Sequence, residues 1–482
     1  MISQNKVIII GAGFCGIVTT LNLVKRTINQ DINITLIHDG SPFGKGVAYN
    51  PNSDKALLNV PCEKMSCFFD EPNHFLDWTC KQDGFETYTP EFVAKLFLPR
   101  ALYGKYLLET WNEFSSNLPK AITINLIEEL AVDVSSCENG YAVTLKSGAI
   151  VNSKYVVLAT GNEKPANPKI QNPDFYTSNQ YFQNPWDKSA TSNFDPTQDI
   201  LIIGNGLTMV DTVLELSENK FKGHIYTISP NGFSILPHRH NGTSYTAFSE
   251  EIKGKYDLNE LYSSYIKHAR KLRELGISAE PITDSLRPYT QSIWINLSVT
   301  EKKRFLSHIR HLWGLARHRL PVNIHDRIQK MRIDDKLEVI KGKLIDISEN
   351  NGAIRVEYFN KTSNAQETIQ VGRVINCTGP QVNVQKSTNE LLYTLVHKGL
   401  IQSDLYRLGI VTTPEYEIVN AHEKVETDFY TLGGNLRGML WETTAVPELK
   451  KQCHDLASII LSRIEMSSDA KRVDSKKEHS NA

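Results

Sequence analysis

The stretch "KVIIIGAGFCGIV", residues 6–18, decides the fold of the first part of the chain. Its apolar run "VIII" is β-branched throughout, which is typical of a central parallel strand buried on both faces. Gly11, Gly13 and Gly16 then form the spacing G-x-G-x-x-G. In this pattern the first glycine allows a tight turn, the second lets backbone approach a pyrophosphate, and the third lets the helix pack on the strand. We therefore predict a strand, a glycine turn and a helix that together hold a dinucleotide.

A second stretch, "DILIIGNGLTMVD" at residues 199–211, repeats this pattern about 190 residues later. Gly204 and Gly206 keep the first two glycines, whereas Met209 stands at the third position. The next strand ends in "SPNG", which offers no arginine or lysine to a 2′-phosphate. We call each such glycine turn, with the strand before it and the helix after it, a cradle. The pattern predicts a second cradle, which binds NAD(P)H. It also leaves open a Rossmann-like domain that has lost its nucleotide.

Further turns accompany the first cradle. The strand "INITLIHD" has His38 at the usual acid position, so the ribose contact is assigned to Asp39, which follows it. The strand "KYVVLATGN" ends in Thr160 and Gly161, as in two-dinucleotide flavoproteins, which favours FAD as the first ligand.

Two later segments complete the predicted FAD domain. "RVINCTGP" repeats the strand-to-Thr-Gly ending at Gly379, as though the chain were re-entering that domain. "DFYTLGGNLRGMLWETTAVPELKKQ" predicts a strand, a glycine turn and a helix, with Gly434 and Asn435 where the flavin-facing acid usually stands.

The predicted fold class is α/β, with two Rossmann-like dinucleotide-binding domains, the NAD(P) domain inserted in the FAD domain. The FAD domain covers residues 1–165 and 372–466. The NAD(P) domain covers residues 166–371 and includes an added helical segment at about 249–335. The polar residues 467–482 are predicted to be a disordered tail.

The amino-acid composition limits the kinds of ligand and partner that the protein is expected to bind. Among 482 residues, 53 Lys+Arg stand against 54 Asp+Glu, and the net charge of −1 gives no argument for nucleic acid or an acidic membrane surface. No apolar run reaches the roughly 18 residues of a membrane span. The seven cysteines are scattered and odd in number, which favours a reduced, cytoplasmic protein. No His, Cys, Asp or Glu cluster has metal-ligand spacing, so no metal is predicted.

Several phrases carry a family resemblance: "GKGVAYNPNSDKALLNVPCEKMSCFFDEPNHFLDW", "GNGLTMVD", "LPHRH", "RHLWGLARHRLP" and "LRGMLWETTAVPELKKQ". From about residue 6 to 460 the chain resembles the FAD/NAD(P)-binding proteins that include the FAD-dependent urate hydroxylase and the nitrosuccinate-forming aspartate N-monooxygenase. The resemblance implies an NAD(P)H-consuming flavin monooxygenase. In such an enzyme NAD(P)H reduces FAD, O2 adds at flavin C4a, and the hydroperoxide hydroxylates a small-molecule substrate. The substrate expected here is a small, anionic, nitrogen-containing metabolite.

Candidates for the reaction chamber are Asn59, Ser66, Arg239, Arg317 and Arg319. Asn59 and Ser66 are expected either to hydrogen-bond flavin or nicotinamide, or only to cap a turn and a helix. The basic residues are expected either to hold a carboxylate or pyrophosphate, or to form a solvated helix face.

Other functions compete with the monooxygenase. Cys62 and Cys67 have the C-x4-C spacing of glutathione-reductase-like flavoenzymes, which would make the protein a disulfide reductase. The entry to that motif, "NVP", is not glycine-rich, and no His-Pro pair follows near the C-terminus, so packing cysteines are favoured. A flavin sensor without turnover and a simple NAD(P)H oxidase also stay open.

Overall fold

The structure is a computed structural model that describes residues 5–28, 30–40, 42–50, 56–238, 245–350 and 352–480. In chain order the strands are β1 Lys6–Ile10, β2 Ile32–His38, β3 Ile122–Glu128, β4 Ala131–Cys137, β5 Gly140–Leu145, β6 Ile150–Ser153, β7 Tyr155–Leu158, β8 Tyr181–Phe182, β9 Ile200–Ile203, β10 Ile225–Ser229, β11 Leu337–Asn350, β12 Ala353–Asn360, β13 Ala365–Val371, β14 Arg373–Asn376, β15 Glu417–Val419 and β16 Val425–Thr431.

The α-helices are α1 Phe14–Arg26, α2 His74–Thr79, α3 Pro90–Ala94, α4 Arg100–Ser116, α5 Leu207–Glu218, α6 Ala247–Ile252, α7 Leu258–Glu274, α8 Glu280–Ser285, α9 Thr290–Asn296, α10 Val299–Arg304, α11 Arg310–Arg317, α12 Val322–Ile333, α13 Glu390–His397, α14 Arg437–Leu440 and α15 Val446–Ser480. Short 3₁₀ turns cover Cys62–Lys64, Pro173–Thr177, Lys188–Ala190, Arg287–Tyr289, Val384–Lys386 and Gly433–Leu436, and a π-helical turn at Phe305–Ile309 joins α10 to α11.

The chain divides into two compact units. The first comprises Met1–Pro51, Val60–Glu163 and Val382–Ala482, and the second comprises Asn52–Asn59 and Lys164–Gln381. Among the described residues, no helix combines the length and the apolar character that a membrane crossing requires.

The first unit is built on a six-stranded sheet in the order β15-β16-β7-β1-β2-β3. Its strands are parallel except at the edge, where β15 pairs antiparallel with β16. Within β1, Ile8 and Ile10 pack on one face with β4, β5 and α13. Because alternate residues of a strand point to opposite faces, a strand covered on both sides must be apolar throughout, and β1 is.

The second unit contains a seven-stranded sheet in the order β13-β12-β11-β10-β9-β14-β8. Strand β9 divides its side chains between the two faces. Ile200 and Ile202 pack with α5 and α12, whereas Leu201 and Ile203 pack on the opposite face with β12. Helices α6, α7, α8, α9 and α11 contribute to a separate apolar cluster of this unit, around Phe248 and Ile282.

These observations confirm the predicted α/β class with two Rossmann-like sheets. One strand differs from its prediction. β14, in "RVINCTGP", lies in the second sheet beside β9 rather than in the FAD domain from residue 372, and the chain returns to the first unit at Val382. The segment Asn52–Asn59, placed in the FAD domain by its position, groups with the second unit, and its Leu57 packs on the core of that unit.

In the structure, α15 continues through residues 467–480. The disorder of residues 467–482 stays a prediction. The segment "SSDAKRVDSKKEHS" is polar but contains neither glycine nor proline, so nothing in it interrupts a helix that has already begun.

Candidate dinucleotide sites

The glycine turn after β1 is held in place by two close approaches of backbone. Gly11 has φ +111°, and a Cβ on it would lie 2.3 Å from the carbonyl oxygen of Ala159 at the end of β7. A Cβ on Gly16 would lie 1.8 Å from the carbonyl oxygen of Gly11. Gly11 and Gly16 are therefore required by the fold itself, whether or not a ligand is bound.

Gly13 occupies a different environment. It begins α1 with φ −78° and ψ −165°, a conformation open to other residues, and the nearest atom to an added Cβ is the Cα of Gly46, 3.9 Å away. No side chain caps this helix start, and no acid stands in its first turn. The amides of α1 thus meet an open space on a helix N-terminus, the arrangement that suits the pyrophosphate of FAD.

The other predicted FAD residues in the first unit gather at the carboxyl ends of β7 and β16. Asn435 is buried and donates through its side chain to the hydroxyls of Thr160, at 3.2 Å, and Thr431, at 3.0 Å. A Cβ on Gly161 would meet no atom within 4 Å, whereas one on Gly434 would lie 2.8 Å from Oδ1 of Asn162. Asn435 therefore joins the ends of two strands, and Gly161 borders open space.

Asp39 is exposed directly after β2, where a ribose contact is expected, and the ring of His38 packs edge-on against Phe43 at 5.4 Å. The sequence prediction missed the loop that follows. The amide of Gly44 donates to the carbonyl of Ala12 at 2.8 Å, which brings this loop against the glycine turn. The glycine-rich phrase "FGKGVAY" is the signal by which the loop could have been found.

The turn after β9 repeats the geometry of the first. Gly204 has φ +111°, and a Cβ on it would lie 2.5 Å from the carbonyl oxygen of Cys377 at the end of β14. Among the described residues, no side chain caps the start of α5 at Gly206, and a Cβ on Gly206 would meet no atom within 4 Å. Met209, only 4% exposed, packs into the core between α5 and the sheet. The second cradle is therefore open at the same position as the first.

Asn205, between the two glycines of the second turn, supports a ligand there. Its side-chain nitrogen and oxygen are both buried and have no hydrogen-bond partner among the described residues. Asn205 also lines a small pocket with Phe233, Ser234, Gln329 and Arg332. Buried polar atoms are normally satisfied, so a ligand or water that hydrogen-bonds Asn205 is expected.

Gly379 follows β14, the strand that lies beside β9. It is half-buried with φ +90°, and a Cβ on it would meet no atom within 4 Å. It therefore lies at the carboxyl edge of the second sheet, in the unit of the second cradle, and its cofactor contact stays a prediction.

The structure divides the reaction-chamber candidates. Ser66 is fully buried, and its hydroxyl donates to the carbonyl of Glu71 at 2.6 Å and accepts from the amide of Phe68 at 3.1 Å, which favours the capping role. The backbone carbonyl of Asn59 accepts from Nε2 of His238 at 3.1 Å, and burial lowers the pKa of His238. Arg239 lies outside the described residues.

The two arginines near the end of α11 differ in environment. Arg319 is 5% exposed, donates to the carboxylate of Asp284 at 2.5 Å and to the carbonyl of Ala316 at 2.9 Å, and so links the end of α11 to α8. Arg317 is half-buried and shares a helix with Arg310 seven residues earlier. The contacts of Arg319 favour a structural role, and Arg317 is the better candidate for a ligand contact.

The two thiols of the C-x4-C motif are free and fully buried in the first unit. Cys67 Sγ lies 3.0 Å from the hydroxyl of Tyr106, and Cys62 Sγ lies 3.9 Å from Oγ1 of Thr79. Burial raises the pKa of each thiol to about 12. A thiolate is the nucleophile in disulfide exchange, so these environments oppose a redox role.

Comparison with known proteins finds a family match in the part of the chain that holds the first glycine turn. Residues 8–163 match the FAD-NAD(P)-binding family. No curated protein sequence matches the chain.

Solved structures share the fold at low identity. The ornithine N-hydroxylase of Kutzneria sp. 744, solved with reduced FAD, NADP+ and L-ornithine, is 13% identical with a TM-score of 0.65, covering 95% of this chain and 99% of its own. The L-lysine 6-monooxygenase of Pseudomonas syringae is 14% identical with a TM-score of 0.66, over the same shares. The bacillithiol disulfide reductase of Bacillus cereus is 15% identical with a TM-score of 0.55, again over 95% and 99%. The chain therefore has the fold of flavin-dependent NAD(P)H oxidoreductases and monooxygenases.

Proposed function

We propose that this chain is an FAD-dependent, NAD(P)H-consuming monooxygenase that hydroxylates a small, anionic, nitrogen-containing metabolite. The observation that carries the proposal is the pair of glycine turns on separate parallel sheets, each open at its second glycine. Gly13 and Gly206 both begin uncapped helices and both leave room for a ligand. Two such cradles in one chain suit an enzyme that takes electrons from one dinucleotide to another.

The residues present fit both cofactors. Gly11, Gly13 and Gly16 form the proposed turn for the FAD pyrophosphate, Asp39 is the proposed ribose contact, and Asn435 stabilises the turn after β16. When bound, FAD supplies the redox chemistry between NAD(P)H and O2. The chain itself binds and orients the cofactors and the substrate and excludes water from the reaction.

The substrate class rests on the family resemblance and on the fold. The resembled family includes enzymes that act on urate and on aspartate, both anionic and nitrogen-containing. The structures with the same fold include hydroxylases of ornithine and lysine, which are small amines. Arg317, half-buried at the end of a helix, is the proposed contact for a substrate carboxylate.

The test is NADH and NADPH oxidation by the purified, FAD-loaded protein, with peroxide release measured alongside. L-Aspartate, urate, L-ornithine and L-lysine are added one at a time. Faster oxidation with less peroxide per NAD(P)H consumed supports a monooxygenase and identifies its substrate. Oxidation that no substrate stimulates, with one peroxide per NAD(P)H, would instead show an oxidase, and a bound flavin that NAD(P)H leaves oxidised would show a sensor.

A disulfide reductase is the second candidate, because the fold is shared with the bacillithiol disulfide reductase and the C-x4-C spacing is present. The buried thiols oppose it. We expect iodoacetamide at neutral pH to modify exposed Cys137 and to spare Cys62 and Cys67 in the folded protein. We also expect the double variant Cys62→Ala/Cys67→Ala to keep its NAD(P)H oxidation. Loss of that oxidation from a folded, yellow variant would favour the reductase.

A further inference from the structure

The loop after β10 lies where a Rossmann domain distinguishes NADPH from NADH. The end of the second strand normally faces the ribose that carries the 2′-phosphate in NADPH. The loop sequence "SPNGFS" contains no basic residue. The structure, however, brings basic residues to this loop from α12, from β11 and from the turn after β12.

Arg332 approaches the loop from the last turn of α12. Its Nη1 donates to Oγ of Ser234 at 3.0 Å and lies 3.4 Å from Oε1 of Gln329. Both partners are neutral, and no carboxylate among the described residues lies within ion-pair distance of Arg332. The guanidinium therefore keeps an uncompensated positive charge beside the loop.

Two lysines flank the same loop. Lys361 donates through Nζ to the carbonyl of Pro230 at 2.8 Å. Lys341 is the register partner of Ser229 in the neighbouring parallel strand, and its Cβ would lie 2.7 Å from a Cβ placed on Gly232. Within the described part of the chain, neither lysine pairs with a carboxylate. Arg332 and Lys361 thus contact this short loop through their charged groups, and Lys341 lies against it.

The loop and Arg332 also border the cavity that begins at the second glycine turn. Asn205, Phe233, Ser234 and Arg332 all line it. Within the described residues the side-chain amide of Asn205 has no partner, so a water or a polar group of a ligand is expected beside it. A nucleotide that binds at the turn and extends towards β10 would reach the basic loop.

We propose that the second cradle selects NADPH over NADH, and that Arg332 is the residue that binds the 2′-phosphate. This inference rests on the proposed function, in which the second unit binds the nicotinamide cofactor. A guanidinium presents its donors as a planar fork that matches phosphate oxygens, and Ser234 adds a hydroxyl donor. Lys341 and Lys361 add positive potential for a group that carries a charge of about −2.

Fragments that lack nicotinamide test the inference without turnover. We would titrate the FAD-loaded protein with 2′,5′-ADP and with ADP by calorimetry. Wild type is expected to bind 2′,5′-ADP about tenfold or more tightly than ADP, since charge-assisted phosphate contacts are the strong ones. Arg332→Ala is expected to bring the two affinities within about twofold and to leave ADP binding unchanged. Arg332→Lys, which keeps the charge but loses the fork, is expected to retain part of the preference.

Lys330→Ala is the matched control, because Lys330 is an exposed cation on the same helix that makes no contact with the loop. It is expected to keep the wild-type preference. Equal binding of ADP and 2′,5′-ADP by wild type would overturn the inference and leave the proposed function standing. A preference that survives Arg332→Ala would overturn the role of Arg332. If neither fragment nor NADP+ binds, the second cradle does not hold a nicotinamide cofactor, and the proposed function is wrong as well.

Discussion

The glycines of the two cradles show that one residue type serves two purposes. Gly11, Gly16 and Gly204 are glycine because a Cβ would strike backbone of the protein itself. Gly13 and Gly206 have ordinary backbone dihedrals, and the space beside them leaves room for the ligand that we propose at each turn. The motif G-x-G-x-x-G predicts all of these glycines, but only the structure separates the two purposes.

Gly13→Val is therefore expected to fold and to purify without FAD, because the valine side chain occupies the space of the pyrophosphate rather than that of a neighbouring residue. The flavin absorbance per protein and the circular dichroism spectrum measure the two effects. Gly206→Val is the matched control, since it makes the same change in the second cradle. It should keep FAD and lose NAD(P)H-dependent flavin reduction. A yellow, fully loaded Gly13→Val protein would show that the first cradle is misassigned.

Arg317 and Arg319 were equal candidates in the sequence, and their contacts now separate them. Arg317→Ala is expected to raise the substrate KM without loss of FAD, because a carboxylate contact would be removed. Steady-state kinetics with the identified substrate measure this. Unchanged kinetics would assign Arg317 to the helix surface instead.

At the scale of elements, the helical segment beside the second sheet depends on polar links between its helices. The ion pair between Arg319 and Asp284 connects α11 to α8. Arg319→Ala is expected to lower the free energy of unfolding by about 2 kcal/mol, less than for a fully buried pair because Asp284 is 54% exposed and becomes solvated. Thermal unfolding measures the loss. Substrate KM should not change well below the Tm, and a selective rise in KM would return Arg319 to the reaction chamber.

A second link joins α6 to α7. Glu251 accepts hydrogen bonds from Ser264 at 2.6 Å, from His268 at 2.9 Å and from Lys267 at 3.2 Å, and these bonds lower its pKa from 4.5 to about 2. Because the folded pKa lies below the unfolded one, this stabilisation is present above pH 4.5 and is lost as the pH falls towards about 2.

The difference in Tm between wild type and Glu251→Gln is therefore expected to shrink as the pH is lowered from about 5 to about 3. Tryptophan fluorescence follows the unfolding, since Trp294 and Trp313 lie in this helical segment. Glu250→Gln, which changes the exposed neighbour, is the control and should follow wild type at each pH. A Tm difference that does not depend on pH would contradict the role of the carboxylate.

The sequence predicted the individual elements better than their placement. β1, α1, β2, β7, β9, α5 and β10 all lie where the patterns place them, because continuous apolar runs followed by glycine turns are strong local signals. β14 was placed in the wrong sheet for a physical reason. "RVINCTG" and "KYVVLATG" are both short buried parallel strands that end in Thr-Gly, and local sequence carries no information about which strand lies beside them.

On the scale of the whole molecule, the repeated glycine turn predicted two units with separate cores. It did not predict that basic residues gather at the loop of residues 229–234. The basic residues beside this loop are Arg332, Lys341 and Lys361, and they are distant from residues 229–234 in the sequence, so only folding brings them there. In the same way, the buried environment of Cys62 and Cys67 depends on Thr79 and Tyr106, which their spacing alone does not reveal.

The order of the first sheet has a consequence for how this protein is made. β7 pairs with β16, which lies about 270 residues later in the sequence. During synthesis, β7 therefore has no partner on this side until β16 has been made. On the ribosome, every residue of the second unit emerges before that partner does. The second unit is thus able to finish folding first, while β7 presents an unpaired, wholly apolar edge. Nascent chains that end between β7 and β16 should therefore be those that need chaperones most.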